Sequence, residues 1–286
     1  MRTSLPQQDL ALEGMRDHRF GLSPKAWQRF RGLAALVTGA GTGYGQAIAT
    51  ALAGAGANVI LVGRRREKLE ETAEKCRENS EPSVDTLVCP TDLCDFNSQL
   101  TMLDWVEREM NHPALLVNSA ALPCARDIAK PVPLFSYGVE EWEKLMRTNV
   151  TAPWFLSREF IARFHDSNPI RIVNMTSRAG WSAKGSVGPY NVSKAALNNL
   201  TMSLAEEARM QFPGADIQIN ALNPWEARTE MNQGSTAKPE EVLPMTLLLL
   251  AQPAGGPSGY FFCRDGRHDQ FTDTLPYGKD LAAESR

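Results

Sequence analysis

The chain has 286 residues, enough for one large domain with a sizeable core, and 43% of them are hydrophobic. A formal net charge of −3 gives no footprint for nucleic acid or an anionic membrane surface. The longest apolar runs, such as Leu247-Leu248-Leu249-Leu250, fall far short of a spanning helix.

Residues 1–32 read as a polar N-terminal extension. They lack the apolar stretch of a signal peptide, and Asp9, Glu13 and Asp17 argue against a transit peptide. Ser23-Pro24 is a helix start over residues 25–31, with Trp27 and Phe30 available for packing. From Leu33 the pattern becomes regular. Residues 34–38 form a candidate strand, followed by the turn Gly39-Ala40-Gly41-Thr42-Gly43-Tyr44-Gly45 and a small-residue helix over 46–55. Strands over 57–62, 84–88, 115–117, 172–175, 217–222 and 260–263 alternate with helices over 65–78, 95–110, 140–165, 190–210 and from Pro239. Such alternation predicts an α/β fold: a doubly wound parallel sheet between two helical layers. With no repeat and no low-complexity linker, residues 33–266 read as a single domain and 267–286 as a C-terminal tail.

The five cysteines (Cys76, Cys89, Cys94, Cys124, Cys263) show no CxxC pairing and no His partners, so they read as reduced core thiols in a reducing, cytoplasmic compartment. His18, His112, His165 and His268 lack metal-ligand spacing, so no metal is expected.

The glycine turn lies between a strand and a helix, where backbone N–H groups and a helix N-terminus face phosphate. Glycines suit it because the turn uses positive φ and the backbone must approach a pyrophosphate closely. An NAD site wants a carboxylate about twenty residues on for the ribose hydroxyls. Here Gly63 fills that place and Arg64-Arg65-Arg66 follow. An arginine fork grips a 2′-phosphate, so NADP(H) is expected over NAD(H), with Arg64 as the contact. Three arginines at a helix start also read as a solvated surface.

The second chemical stretch is residues 172–194, IVNMTSRAGWSAKGSVGPYNVSK. A buried strand runs into Thr176-Ser177, a loop follows, and Pro189 opens a helix. Tyr190 and Lys194 are four apart and share one helical face, while Ser177 sits at the carboxyl end of a strand, where open α/β sheets place ligands. A phenol titrates near pH ~10, and a neighbouring ammonium draws it toward neutrality. A serine hydroxyl stabilises an oxygen on which negative charge develops. A Tyr-x-x-x-Lys pair alone carries little weight; its order after Ser177 and the glycine turn supplies the rest.

On these motifs the chain resembles the short-chain dehydrogenase/reductase family, in its compact single-domain branch, over residues 33 to 266. Thr38-Gly39-x-x-x-Gly43-x-Gly45 matches the cofactor motif, and Asp92, followed by Leu93, matches the aspartate that meets adenine. Asn149, Ser177, Tyr190 and Lys194 match the catalytic tetrad. The resemblance implies a Rossmann fold, hydride transfer between NADP(H) and a carbonyl or secondary alcohol, and Tyr190 as general acid or base. Lys194 would lower the tyrosine pKa and bind the nicotinamide ribose, Ser177 would orient the substrate oxygen, and Asn149 would anchor a water. Asn149 also reads as satisfying backbone groups at a helix kink. Thr38, Gly39, Gly43, Tyr44, Gly45, Arg64, Asp92, Leu93, Asn118, Lys194, Pro224 and Thr229 are the expected cofactor contacts. Assembly as a homodimer or homotetramer through helices 140–165 and 190–210, around a small-molecule substrate, is also implied.

Three departures stand out. The family's Asn-Asn-Ala-Gly is Asn118-Ser119-Ala120-Ala121 here. Trp225 stands where a glycine lets backbone pass the nicotinamide; its indole crowds the cofactor, turns outward to line the substrate pocket, or marks a changed function. The segment 230–238 is a short lid, so the Pro-rich insert 122–137 and the tail, with Phe271, Leu275 and Tyr277, are expected to compensate. The alternative to an oxidoreductase is a catalytically weak dinucleotide-binding scaffold or sensor, with Trp225 its support. A sugar-nucleotide epimerase or dehydratase fits poorly, since the 96 residues after Tyr190 leave little room for a substrate domain.

Overall fold

Runs such as AALVT at Ala34–Thr38 are buried on both faces, the mark of central strands in a parallel sheet. The computed structural model of the chain describes residues 17–123, 133–166, 169–181 and 187–269. Seven parallel strands form one sheet: β1 (Ala34–Thr38), β2 (Asn58–Gly63), β3 (Thr86–Pro90), β4 (Pro113–Asn118), β5 (Ile170–Met175), β6 (Ile217–Asn223) and β7 (Phe261–Cys263). A two-residue strand, β8 (His268–Asp269), pairs antiparallel with β7, and the order is β3-β2-β1-β4-β5-β6-β7-β8.

The helices are α1 (Pro24–Trp27), α2 (Gly43–Gly54), α3 (Arg66–Glu78), α4 (Phe96–Glu109), α5 (Val139–Met146), α6 (Ala152–Phe164), α7 (Tyr190–Gln211) and α8 (Leu243–Leu250). Side chains alternate along β1: Ala35 and Val37 enter the core shared with α2, α3 and α8, while Ala34 and Leu36 enter the core shared with α4, α6 and α7. The doubly wound α/β/α sandwich read from the sequence is therefore the fold. Its strand order reverses between β1 and β4, whose ends pair Thr38 with Asn118 and leave a crevice beyond them.

Ser23 caps α1, its hydroxyl accepting from Ala26 N at 3.2 Å. The chain then turns through Gln28–Phe30 into β1, with Phe30 fully buried and Leu22 beside it in the first core. From residue 17 onward the extension thus contributes apolar side chains to the domain.

Two boundaries differ from the sequence reading in ways that matter to the site. The helix expected over 140–165 is two helices joined by a π turn, Arg147–Thr151. Pro153 explains it: proline has no N–H for the Asn149 carbonyl four residues earlier, and its ring presses on that carbonyl. Pro189 is not helical; it caps α7, which starts at Tyr190. Cys76, Cys89 and Cys263 are buried free thiols, burial pushing Cys76 up to about 11 and Cys89 up to about 12. No described helix is long and apolar enough to cross a membrane.

Candidate active site

The turn after β1 brings the backbone of β1, β4 and α2 closer together than side chains would allow. Gly39 has φ +67, and a Cβ there would meet Ala120 Cα and N at 2.9 Å. A Cβ on Gly45 would lie 2.3 Å from the Gly39 carbonyl oxygen, and one on Gly43 would lie 3.0 Å from the Thr229 methyl. The N-terminus of α2 consequently opens into a cleft of about 380 Å³. First-turn N–H groups have no partner within a helix, so this end is shaped for an anion. Gly39, Gly43, Tyr44, Arg64, Asp92, Leu93 and Thr229 line the cleft, together with Ser119, Ala120 and Ala121. The glycine cradle of the cleft and its basic rim of Arg64, Arg65 and Lys68 fit a dinucleotide.

The three arginines divide their work. Arg66 pairs with Glu70 at 3.5 Å along α3. Arg65 grips Glu230 with both terminal guanidinium nitrogens, at 2.7 and 3.3 Å, and that hydrogen-bonded pairing holds the Glu230 carboxyl below its usual range. Arg64, exposed on the cleft rim, has no carboxylate partner among the described residues and is the arginine open to a phosphate.

Several of the expected cofactor contacts carry structural hydrogen bonds or are buried. The Thr38 hydroxyl is buried and accepts from Ser119 N and Ala120 N at 3.0 and 3.1 Å, pinning the loop after β4 to β1. Asn118 is buried too, donating to Ser157 Oγ at 3.1 Å and to Asn174 Oδ1 at 2.8 Å, and Asn174 donates in turn to Thr201. Pro224 is buried and is not among the residues lining the cleft. Asp92 lines the cleft while one carboxylate oxygen accepts from Cys94 N at 2.9 Å.

At the other end, β5 delivers Ser177 just past its last residue. The Ser177 hydroxyl accepts from Ala179 N at 3.1 Å and turns the chain back onto α7. Gly180 permits that contact: a Cβ there would lie 2.6 Å from the Lys194 carbonyl carbon. One helical turn separates Tyr190 from Lys194, whose Nζ lies 5.6 Å from the centre of the Tyr190 ring. Lys194 is buried, donates to the Met175 carbonyl at 2.9 Å, and is pushed down to about 8 by desolvation. Thr176 hydrogen-bonds Asn198, whose amide, turned to satisfy its surroundings, also meets the Lys194 carbonyl and accepts from Trp181 Nε1 at 2.9 Å.

Asn149 sits in the π turn, fully enclosed. Its amide spans the Leu122 backbone, accepting from Leu122 N at 2.7 Å and donating to Leu122 O at 3.0 Å, and it also donates to Ser193 Oγ at 3.1 Å. Ser193 donates to the Tyr190 carbonyl at 2.7 Å. Asn149 thereby ties the loop after β4 to the first turn of α7. Ser193, Asn198 and Gly180 escaped the sequence reading, and polar residues in a helix next to a Tyr-x-x-x-Lys pair carry no distinguishing signal. The break at Asn149 did have one, in Pro153.

Trp225 keeps the left-handed backbone that a glycine would take, at φ +57. Its indole packs with Arg264, whose guanidinium carbon is 4.9 Å from the ring, and Arg267, at 5.6 Å. Arg264 is buried and ion-paired to Glu241 at 2.8 Å. The Trp225 carbonyl accepts from the Tyr44 hydroxyl at 2.9 Å, and burial raises the Tyr44 phenol above its ordinary range. The indole does not line the described cleft. The expected lid folds back on itself, with Thr229 and Asn232 exchanging backbone hydrogen bonds at 3.1 Å and Arg228 N donating to Ala237 O at 2.8 Å. The compensating segments expected at 122–137 and in the tail fall largely outside the described residues, as does Cys124.

The sequence profile of the short chain dehydrogenase family matches residues 33–240, so the chain belongs to that family of oxidoreductases. It is 32% identical over 212 residues to gluconate 5-dehydrogenase from Gluconobacter oxydans, covering 73% of this chain and 77% of that one. A protein from Pseudomonas syringae described as a short chain dehydrogenase superposes with a TM-score of 0.74 at 27% identity, over 83% of this chain and 96% of that one. A metagenomic short-chain oxidoreductase solved in complex with NADP gives 0.66 at 26% identity, over 80% and 95% respectively.

Proposed function

We propose that the chain is an NADP(H)-dependent oxidoreductase that interconverts a carbonyl and a secondary alcohol, with Tyr190 as general acid and base. The observation that carries this reading is Lys194: an ammonium buried against the Met175 carbonyl and beside the Tyr190 ring contributes nothing to stability that an apolar side chain would not, and desolvation pushes it down to about 8, so that near neutral pH it still carries its charge. The nicotinamide dinucleotide supplies or takes the hydride when bound. Tyr190 gives its phenolic proton to the substrate oxygen in reduction and takes it back in oxidation. Lys194 steadies the phenolate through its charge, and the Ser177 hydroxyl donates to the substrate oxygen. Asn149 acts by orienting the first turn of α7 through Ser193 and by holding the Leu122 backbone at the mouth of the cleft.

Arg64 takes the 2′-phosphate, because Arg65 and Arg66 are already matched to Glu230 and Glu70. The solved relative that contains NADP supports this choice. The resemblance to a gluconate dehydrogenase makes polyols and sugar acids the substrate class to assay first. Trp225, on which a pure scaffold reading would rest, has its indole committed to Arg264 and Arg267. We assign the active form to a cytoplasmic homodimer or homotetramer built on α5–α6 and α7.

Calorimetric titration with NADPH and NADH tests the reading. NADPH is expected to bind at least about tenfold more tightly, and Arg64→Ala to remove that preference while leaving NADH unchanged. Failure of both nucleotides to bind would overturn it.

A further inference from the structure

Arg65 and Glu230 are 165 positions apart, yet they meet across the cleft. Arg65 precedes α3 on the β2 side, whereas Glu230 follows Thr229 on the segment that leaves β6; both side chains line the cleft. Their two parallel hydrogen bonds are the bidentate kind that fixes direction as well as distance. Thr229 itself packs on Gly43, so the segment carrying Glu230 rests on the N-terminus of α2 as well. Both groups are about half exposed, which makes the pair a poor contributor to global stability but leaves it free to open.

We propose that Arg65 and Glu230 form a charge clasp over the cofactor cleft that sets how long a dinucleotide stays bound. The proposal rests on the cofactor reading given above and assigns Arg65 to the clasp rather than to the 2′-phosphate. With the clasp closed, the segment from Thr229 is tethered to the start of α3, and a dinucleotide held in the cleft would lie behind that tether. Release requires both hydrogen bonds to part. Because the proposed 2′-phosphate contact is Arg64 and not Arg65, the clasp would retard NADPH and NADH alike.

Stopped-flow displacement of bound NADPH and of NADH from the full chain provides the test. Glu230→Gln and Arg65→Gln are each expected to raise both release rates by about two- to fivefold, and the double variant by no more than either single one. The effect fades in high salt, since the groups are exposed. Thermal unfolding midpoints stay unchanged, which separates the clasp from a folding defect. Unchanged release in Glu230→Gln would overturn the clasp while leaving the cofactor reading intact. Slower NADPH release in that variant, with NADH unaffected, would overturn it in favour of Arg65 as a phosphate ligand that Glu230 restrains. No binding of either nucleotide by the wild-type chain would end both readings together.

Discussion

At the glycine turn beside the cleft the chain makes room by leaving atoms out, whereas around Tyr190 it fills the space with polar atoms that satisfy one another. Gly39, Gly43 and Gly45 let three backbone segments meet at distances a Cβ would forbid. The other end is built from Asn118, Asn174 and Thr201 in one buried chain of hydrogen bonds, and from Asn149, Ser193, Thr176 and Asn198 around the first turn of α7. An absence of side chains permits a ligand to enter and ties nothing in place. A satisfied polar network costs desolvation but admits only one arrangement.

The sharpest way to break the contrast is at Tyr190. Tyr190→Phe removes one oxygen without disturbing the ring, so turnover is expected to fall by about 10³-fold while the NADPH dissociation constant moves by less than about twofold. A residual rate above a tenth of wild type would remove Tyr190 from the proton-transfer role.

Two glycine substitutions separate the ends. Gly45→Ala drives a methyl into the Gly39 carbonyl, and Gly180→Ala drives one into the backbone of Lys194. Overpacking of this kind costs about 1–3 kcal/mol, so about ten- to a hundredfold is the scale expected. Gly45→Ala should lose it in nucleotide affinity measured by calorimetry. Gly180→Ala should lose it in kcat with affinity kept, because it shifts the Ser177 turn against α7. Equal losses of both quantities in both variants would mean that the two ends form one rigid unit.

Lys194→Met probes what the buried charge costs. Lys194 titrates at about 8 in the folded chain against an ordinary 10.5. Between those values the unfolded chain holds a proton that the folded chain has released, so the stability contributed by this residue rises with pH across that window. Below about 8 both forms are protonated and the penalty is constant. Lys194→Met is therefore expected to be inactive and, near neutral pH, more stable by on the order of 1–2 kcal/mol after the lost bond to Met175 is counted. Urea unfolding from pH 7 to pH 10 checks this, the variant's advantage shrinking as pH rises.

The smallest effect belongs to Trp225. Relief of its left-handed backbone and loss of its contacts with Arg264 and Arg267 are each worth about 1–2 kcal/mol with opposite signs. Trp225→Gly should shift the thermal midpoint by only a few degrees and NADPH affinity by less than about twofold. A larger gain in affinity would mean that the indole reaches the cofactor after all.

Features set by local chain geometry are legible in the sequence. The alternation of strands and helices, the glycine turn between β1 and α2, and the spacing of Tyr190 and Lys194 on one helical face all depend on neighbours within a few positions. Even the break at Asn149 was written locally, in Pro153, four residues on. Thr38 and Asn118, by contrast, carried the same motif letters whether they faced a ligand or pinned two loops together, and only their buried partners distinguish these duties.

Sequence by itself determined the family, the parallel doubly wound sheet and the set of side chains gathered at its carboxyl edge, since periodicity and motif spacing act over short stretches of chain. Tertiary structure decided which of three adjacent arginines has no carboxylate partner among the described residues, which way the indole of Trp225 turns, and what Asn149 binds. Each of those outcomes depends on a partner brought in from far along the chain: Glu230 for Arg65, Arg264 and Tyr44 for Trp225, Leu122 and Ser193 for Asn149. Contacts between residues so distant in sequence leave no pattern in a single chain, because either member alone reads as an ordinary surface or core residue until the fold sets the two side by side.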